Sequence, residues 1–380
     1  MLAAAEALRH DPSGPARAQL DQLYAEMSDP ATGEPEARSD ASALRSATDA
    51  LHDASSAEPH DAALHRLLGE YLLASGLNRA AVTELQAAAS QGEDMTLLAV
   101  PLAFALLRSD RLEDLIALPI PPSLPPHQLA MLHGVQARAL EAMNRYPDAA
   151  TMLQQALAAE PNDLDAVVRL GLLNLWHGDR SLAAQWLEQA TRIDPASVAT
   201  LRLRGEYAYA TRDFAGSAAA YGKLVAMGAP ERLDPPPILG LARAQIYQGD
   251  LHAAEATLAH PALPGNDPML GYYRALLAYR SGAFQRASEL AEPLIGPLND
   301  YPAVHLLLGA AMLASGYPAT ARHYLAHYVA VVPDNRVAPM LLAEADERVA
   351  HPDTAQPIAP GQLYAALGFA ATAANGWTAP

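Results

Sequence analysis

A spacing of 34 residues is the feature of this sequence that most constrains its fold. The clearest unit covers residues 164–195, in which small residues, Gly171 and Ala183, stand where two antiparallel helices would cross closely. Leu170 fills the space beside that crossing. Gly178 favours the left-handed conformation that ends a first helix, and Pro195 ends the second. A helix pair of this kind has to stack on its neighbours to bury its apolar face.

The same spacing recurs along most of the chain. When the units are aligned on the turn between their two helices, they begin near residues 62, 96, 130, 164 and 198. The second and fifth units are degenerate, with Leu115 and Ser217 where the others have alanine. After Gly228 the register slips by three residues, and further units begin near residues 235, 268 and 302. The sequence therefore predicts about eight consecutive helix pairs.

This pattern resembles the tetratricopeptide repeat (TPR) superfamily, whose 34-residue units are helix-turn-helix pairs. The predicted fold class is all-α, a right-handed α-solenoid of stacked TPR repeats. We expect irregular helices and a loop in residues 1–61, repeats in 62–335, a capping helix in 336–350 and a tail rich in Ala, Pro and Gly in 351–380. That tail is either flexible or a docked helix. In the second case Leu367 would take the position that Leu170 holds in the unit at 164–195, as part of a further repeat.

Two proline clusters interrupt the regular pattern. Residues 118–126 contain five prolines and are expected to shorten the second helix of the unit that begins near residue 96. The triple proline at 235–237 cannot continue a helix and marks a change of pitch or an outward loop.

Composition excludes several classes of function. The formal net charge of −17 argues against nonspecific binding to nucleic acid or to anionic membranes, because both require a basic surface. The chain has no cysteine, so disulfides and thiolate chemistry are excluded. No apolar run is long enough to predict a transmembrane helix. Residues 1–12 lack the basic start and apolar core of a signal peptide. They look like the end of a repeat within a longer array, and a chain complete as given would be cytoplasmic.

The first helices of TPR units line the concave face of a solenoid, and here they carry many arginines and aromatic residues. Both types anchor protein interfaces, tyrosine and tryptophan by stacking and arginine by forked hydrogen bonds to carboxylates or peptide carbonyls. We therefore predict a binding groove. Its predicted residues are Arg66, Glu70, Phe104, Arg138, Trp176, Arg202, Glu206, Tyr209, Arg243, Tyr247, Tyr272, Tyr279 and Arg280, with Arg108 and Glu141 at equivalent positions.

Each groove residue also has a structural interpretation. Trp176 and Tyr272, for example, could pack between adjacent first helices. The sequence lacks a nucleophile elbow, a phosphate-binding glycine loop and a cofactor motif, so we predict no enzyme activity and no cofactor. His323 and His327 are four residues apart and would share one helix face. Because no acidic residue accompanies them, we expect solvated or interhelical histidines rather than a metal site.

A narrower resemblance rests on residues 67–76, 83–86, 111–115, 271–282, 306–316 and 321–325. Their order is similar to that in TPR-repeat lipoproteins associated with exosortase and exopolysaccharide loci of Gram-negative bacteria. The resemblance implies a periplasmic, membrane-tethered factor in polysaccharide or surface-protein export. The sequence departs from that family by lacking a signal peptide, a lipid-bearing cysteine and many further repeats, which suggests a truncated relative or an excised portion.

Three hypotheses for function remain at the level of sequence. The first is a non-catalytic scaffold that binds a protein partner or peptide in the groove. The second is a module that guides a polysaccharide along the arginine and tyrosine side chains. The third is self-association, in which a terminal segment, residues 1–27 or 363–374, packs against another copy.

Overall fold

The computed structural model describes residues 48–49, 51–53, 55–229, 235–335, 337–352 and 367. All regular secondary structure within these residues is helical, and successive helices pack as antiparallel pairs. This confirms the predicted all-α solenoid class. Most of the predicted segments 1–61 and 351–380 lie outside the described residues. The chain divides into two compact units, Met1–Leu203 (unit 1) and Arg204–Pro380 (unit 2), with the division inside one helix.

Unit 1 is a stack of helix pairs, preceded by helical residues at 48–49, 51–53 and 55–57. Its described helices are α1 Ala62–Ala74, α2 Asn78–Ser90, α3 Met95–Arg108, α4 Leu112–Ile116, α5 Pro126–Ala142, α6 Tyr146–Ala159, α7 Leu164–Trp176 and α8 Arg180–Ile193, and α9 Val198–Ala210 spans the division. The odd-numbered helices are the first members of their pairs, called A helices below, and the even-numbered ones are B helices.

Unit 2 continues the alternation. Its helices after α9 are α10 Phe214–Ala226, α11 Pro237–Gln248, α12 Leu251–Leu258, α13 Pro268–Arg280, α14 Phe284–Ala291, α15 Ala303–Ala314, α16 Pro318–Val331 and α17 Ala338–Ala350, and a 3₁₀ turn at Glu292–Leu294 follows α14. The last helix, α17, packs against α16 and α15. Leu367 is buried in the same core as α17.

Left-handed residues mark the predicted turns. Gly76, Asn144 and Gly178 have positive φ, and so do Asp110 and Arg212 in the two degenerate units, so these five turns are 34 residues apart. Aspartate adopts this conformation more readily than most residues, whereas arginine rarely does, so at Arg212 the repeat register rather than the residue type decides the conformation. The next turn, Gly249, follows Arg212 by 37 residues, which is the predicted slip of three.

Glycines on the A helices admit bulky side chains from neighbouring helices. A Cβ atom on Gly69 would lie 2.6 Å from Leu85 of its own B helix, and one on Gly309 would lie 2.7 Å from Leu325. Gly171 differs slightly from the prediction, because its nearest neighbour is Leu203 of the following A helix, at 2.7 Å. The small residue therefore serves stacking between repeats as well as the crossing within one.

The first proline cluster follows a shortened second helix, as predicted, and the second stands where a helix begins. Helix α4 is only five residues long, and a turn closed by a hydrogen bond from Leu124 N–H to the Pro121 carbonyl follows it. Helix α11 begins at Pro237, where the missing N–H of proline costs nothing. None of the described helices is long and apolar enough to cross a membrane.

Candidate interaction surface

Several predicted groove residues of unit 2 meet in one cluster on the A helices α9, α11 and α13. Arg243 of α11 donates from Nη2 to the Glu206 carboxylate of α9, and its guanidinium lies over the Tyr209 ring, 3.9 Å from the centroid. Burial lowers the pKa of Arg243, but the carboxylate of Glu206 and the nearby tyrosines outweigh burial and raise it well above its usual range. The arginine is therefore charged and already paired within the chain.

Tyrosines extend this cluster from helix to helix. The Tyr209 and Tyr247 rings meet edge to face at 5.3 Å between centroids, and Tyr272 meets Tyr301 in the same way at 5.1 Å. Tyr272 is buried, Tyr209 and Tyr247 are half-buried, and Tyr301 is 37% exposed. Burial raises the pKa of Tyr209, Tyr247 and Tyr272, so their phenols stay neutral.

We call the residues Glu206, Tyr209, Arg243, Tyr247, Tyr272 and Tyr301 the tyrosine patch. The charges of Glu206 and Arg243 cancel, and the other members are neutral phenols. The patch therefore presents aromatic edges and hydroxyl groups with no net charge.

Tyr221 of the B helix α10 supports the patch from behind. It is fully buried, and its hydroxyl donates a hydrogen bond to Glu206. Its ring lies between two glycines of successive A helices, because a Cβ on Gly205 would come within 2.7 Å of the ring and one on Gly240 within 2.4 Å. Because Gly205 and Gly240 have no side chains, the space between them is large enough for the tyrosine ring.

In unit 1, the predicted arginines are also paired with carboxylates. Arg66 Nη1 lies 2.9 Å from Glu70 Oε1, and its Nε lies 3.3 Å from Glu93 Oε2. Glu70 itself is 2% exposed. The predicted arginine at the start of the array is thus engaged by its own repeat and by the next loop.

A second charge network joins helices α5 and α7. Arg169 bridges Glu141 and Asp165, each at 2.8 Å, and Arg138 lies 3.4 Å from Asp165. Burial raises the pKa of Glu141, whereas burial and the neighbouring Arg169 lower the pKa of Arg138. Two positive and two negative side chains compensate one another here, so this surface also lacks net charge.

The remaining predicted residues differ in their accessibility. Phe104 is 1% exposed and Tyr279 is fully buried, so both side chains belong to the core and offer no surface to a ligand. Arg280 is also buried, whereas Arg108 and Arg202 are half-buried. Trp176 is 58% exposed at the end of α7, so it does not pack between A helices.

The histidine pair of α16 lies beside a third histidine. The ring of His305 on α15 stacks on that of His327 at 4.1 Å, and His305 is 8% exposed. His327 therefore makes an interhelical contact. This is one of the two arrangements, solvated or interhelical, expected from the sequence. No group of three or more side chains that could hold a metal ion occurs among the described residues.

Sequence reasoning missed several members of these clusters. The predicted groove did not include Tyr221, Tyr301, Glu93, Asp165 or Arg169. Tyr221 had a usable signal, since it stands at the repeat position that Leu85 and Leu325 occupy in other units. Asp165 is the second residue of the unit that begins at residue 164, which is a groove position. Tyr301, Glu93 and Arg169 lie outside the groove positions, and only packing brings them to these clusters.

A family model described as tetratricopeptide repeat matches residues 135–198, which include α6 and α7. A comparison with curated protein sequences finds no match. Among solved structures, the anaphase-promoting complex heterotetramer Cut9–Hcn1 is similar to this chain with a TM-score of 0.53 and 13% identity, covering 82% of this chain and 60% of that one.

Two further structures are similar at lower scores. PilF of Pseudomonas aeruginosa has a TM-score of 0.46 and 14% identity, covering 59% of this chain and 99% of its own. Yeast Tom70 has a TM-score of 0.42 and 12% identity, covering 90% and 66% respectively. The stacked helix pairs, the matched segment and the likeness to Cut9–Hcn1 together define the fold as an α-solenoid of the TPR class.

Proposed function

We propose that this chain is a non-catalytic scaffold that binds a protein partner or peptide on its A-helix surface. The tyrosine patch of unit 2 is the observation that carries this proposal, because partly exposed aromatic rings from successive repeats form one contiguous surface. Trp176 supplies a separate exposed aromatic side chain in unit 1. Tyrosine and tryptophan are the residues that most often anchor protein interfaces.

The contacts that we propose for recognition differ from the forked hydrogen bonds of arginine that the sequence suggested. Arg66, Arg138 and Arg243 are already paired with carboxylates, and freeing a buried charge from its partner is costly. A partner would therefore gain little from presenting carboxylates to them. We propose that binding depends on aromatic contact and on hydrogen bonds to phenols, with a weak dependence on salt concentration.

The resemblance to exopolysaccharide-associated lipoproteins supports a proposed setting in bacterial cell-envelope assembly or export. The polysaccharide alternative draws support from the same patch, because neutral phenols suit stacking and hydrogen bonding with uncharged sugars. The protein-partner proposal is favoured because aromatic anchors at helix surfaces are typical of protein interfaces.

The first test is an affinity pull-down from a cell-envelope extract of a Gram-negative bacterium. The bait variant Trp176→Ala with Tyr301→Ala removes the two accessible aromatic anchors. We expect it to lose at least about tenfold of a specific partner, since hot-spot truncations commonly cost 2 kcal/mol or more. Recovery should change little between low and high salt.

The matched control is Leu77→Ala with Tyr317→Ala, which removes side chains that are 55% and 54% exposed in the same two units. A partner retained by the control and lost by the test variant supports the proposal. A partner retained by both would contradict binding at the A-helix surface. Recovery of polysaccharide without protein would favour the alternative.

A further inference from the structure

The proline-rich segment 118–126 replaces most of the B helix in the second repeat. Its Leu124 is buried and holds it against the core of unit 1, whereas Pro119, Pro122 and Pro125 are exposed. Ile120 is 42% exposed and projects an apolar side chain between the prolines. The segment is therefore an anchored, accessible stretch of extended and turn backbone.

This segment has the chemistry of a ligand for aromatic surfaces. It contains no charged residue. Proline restricts the backbone before binding, so less conformational entropy is lost on docking, and aromatic-lined grooves are the usual receptors of proline-rich segments. An exposed isoleucine flanked by prolines adds apolar surface that is already positioned.

The tyrosine patch has the matching properties. It is uncharged as a whole, aromatic, and partly exposed at Tyr301, Tyr209 and Tyr247. The chain as a whole carries a net charge of −17, which opposes the approach of two copies. Contact between two copies is least opposed where both surfaces are neutral, and the segment and the patch are two such surfaces.

We infer that the tyrosine patch of one copy binds segment 118–126 of a second copy. This inference rests on the proposed function, since it takes the patch to be a binding surface and names its occupant. A two-fold dimer would make this contact twice, with the patch of each copy on the segment of the other, whereas a contact made once per copy extends into an open assembly unless a rotation closes it into a ring.

Sedimentation velocity of the full chain over a range of concentrations, up to about 1 mM for weak contacts, tests the inference. We expect the mass of the wild type to rise with concentration. Ile120→Asp should abolish that rise by placing a charge against the patch. Leu97→Asp is the matched control, because Leu97 is 47% exposed in the same unit, and it should leave the rise unchanged.

The receptor side is tested in the same way. Tyr301→Ala should abolish the rise in mass, whereas Tyr317→Ala, at a tyrosine 54% exposed elsewhere in unit 2, should not. Circular dichroism of each variant verifies its helical fold. A mass independent of concentration in the wild type, or a rise that persists in both Ile120→Asp and Tyr301→Ala, would overturn the inference.

A synthetic peptide of residues 118–126 gives an independent readout. Added in excess, it should reduce the mass of the wild-type assembly and perturb the NMR signals of Tyr301, and a scrambled peptide should do neither. Failure of this peptide together with a partner lost in the Trp176 and Tyr301 pull-down would reject the self-contact and leave the proposed function standing.

Discussion

At the scale of single residues, the contact between Tyr221 and its two glycines leaves no room for added atoms. The ring is fully buried between Gly205 and Gly240 and cannot move away from one without approaching the other. Gly240→Ala would place a Cβ 2.4 Å from the ring. We expect a loss of about 1–3 kcal/mol in the free energy of unfolding, measured by urea denaturation.

Gly222 provides the control in the same unit. It lies in helix α10, and a Cβ there would meet nothing within 4 Å. Gly222→Ala should therefore stabilise the protein by about 0.5–1 kcal/mol, because alanine loses less backbone entropy in a helix. Equal effects of the two substitutions would contradict the tight packing of the Tyr221 ring between Gly205 and Gly240.

His305 gives unit 2 a dependence on pH. Burial lowers its pKa, and the facing His327 and His323 lower it further. The ring of Tyr324 also lies against His305. Since the unfolded chain binds a proton near pH 6.5 more readily than the folded one, the stability contributed at neutral pH is lost as pH falls below about 6.5.

Thermal unfolding between pH 7.5 and 5 measures this effect. The midpoint of the wild type should fall on acidification more than that of His305→Leu. Parallel slopes for wild type and His305→Leu would reject the prediction.

His65 in unit 1 acts in the opposite direction. Although burial lowers its pKa, its hydrogen bonds to Glu84 and Pro59 raise it, so its contribution to stability is lost as pH rises.

At the scale of helices, aspartates at the N-caps set where several elements begin. Asp250 accepts a hydrogen bond from the Ala253 N–H and starts α12, which is only eight residues long. Asp250→Ala should cost about 1 kcal/mol of stability, measured by denaturant unfolding. Glu255→Ala removes an exposed carboxylate from the same helix without touching the cap, and a comparable loss there would argue against capping as the cause.

The helices were also the elements most accessible to prediction from sequence. The turn at Gly178 and the short α4 follow from residues that are neighbours in the chain. Arg212 was harder, because its left-handed turn follows from the 34-residue register and not from its own residue type.

At the scale of the whole molecule, each repeat contacts mainly its neighbours, and the chain separates into two units with their own cores. Repeat positions alone did not predict how far each side chain of the groove is exposed. Glu206, Tyr209, Arg243, Tyr247 and Tyr272 stand at groove positions of successive repeats and lie near one another. The repeat positions did not reveal that Phe104 and Tyr279 are core residues, since a repeat position does not state how deeply its side chain is covered.

The sequence by itself determined the all-helical repeat class, the register and its slip of three, because these depend on the spacing at which similar residues recur along the chain. Tertiary structure alone decided that Arg243 pairs with Glu206, that Arg169 joins Glu141 to Asp165, and that Tyr221 reaches through a glycine gap. Each of those contacts joins different helices, and Arg243–Glu206 and Arg169–Glu141 join successive repeats. Their charges and rings become partners only when the repeats stack, which is why a surface rich in arginine in the sequence is a neutral, aromatic one in the structure.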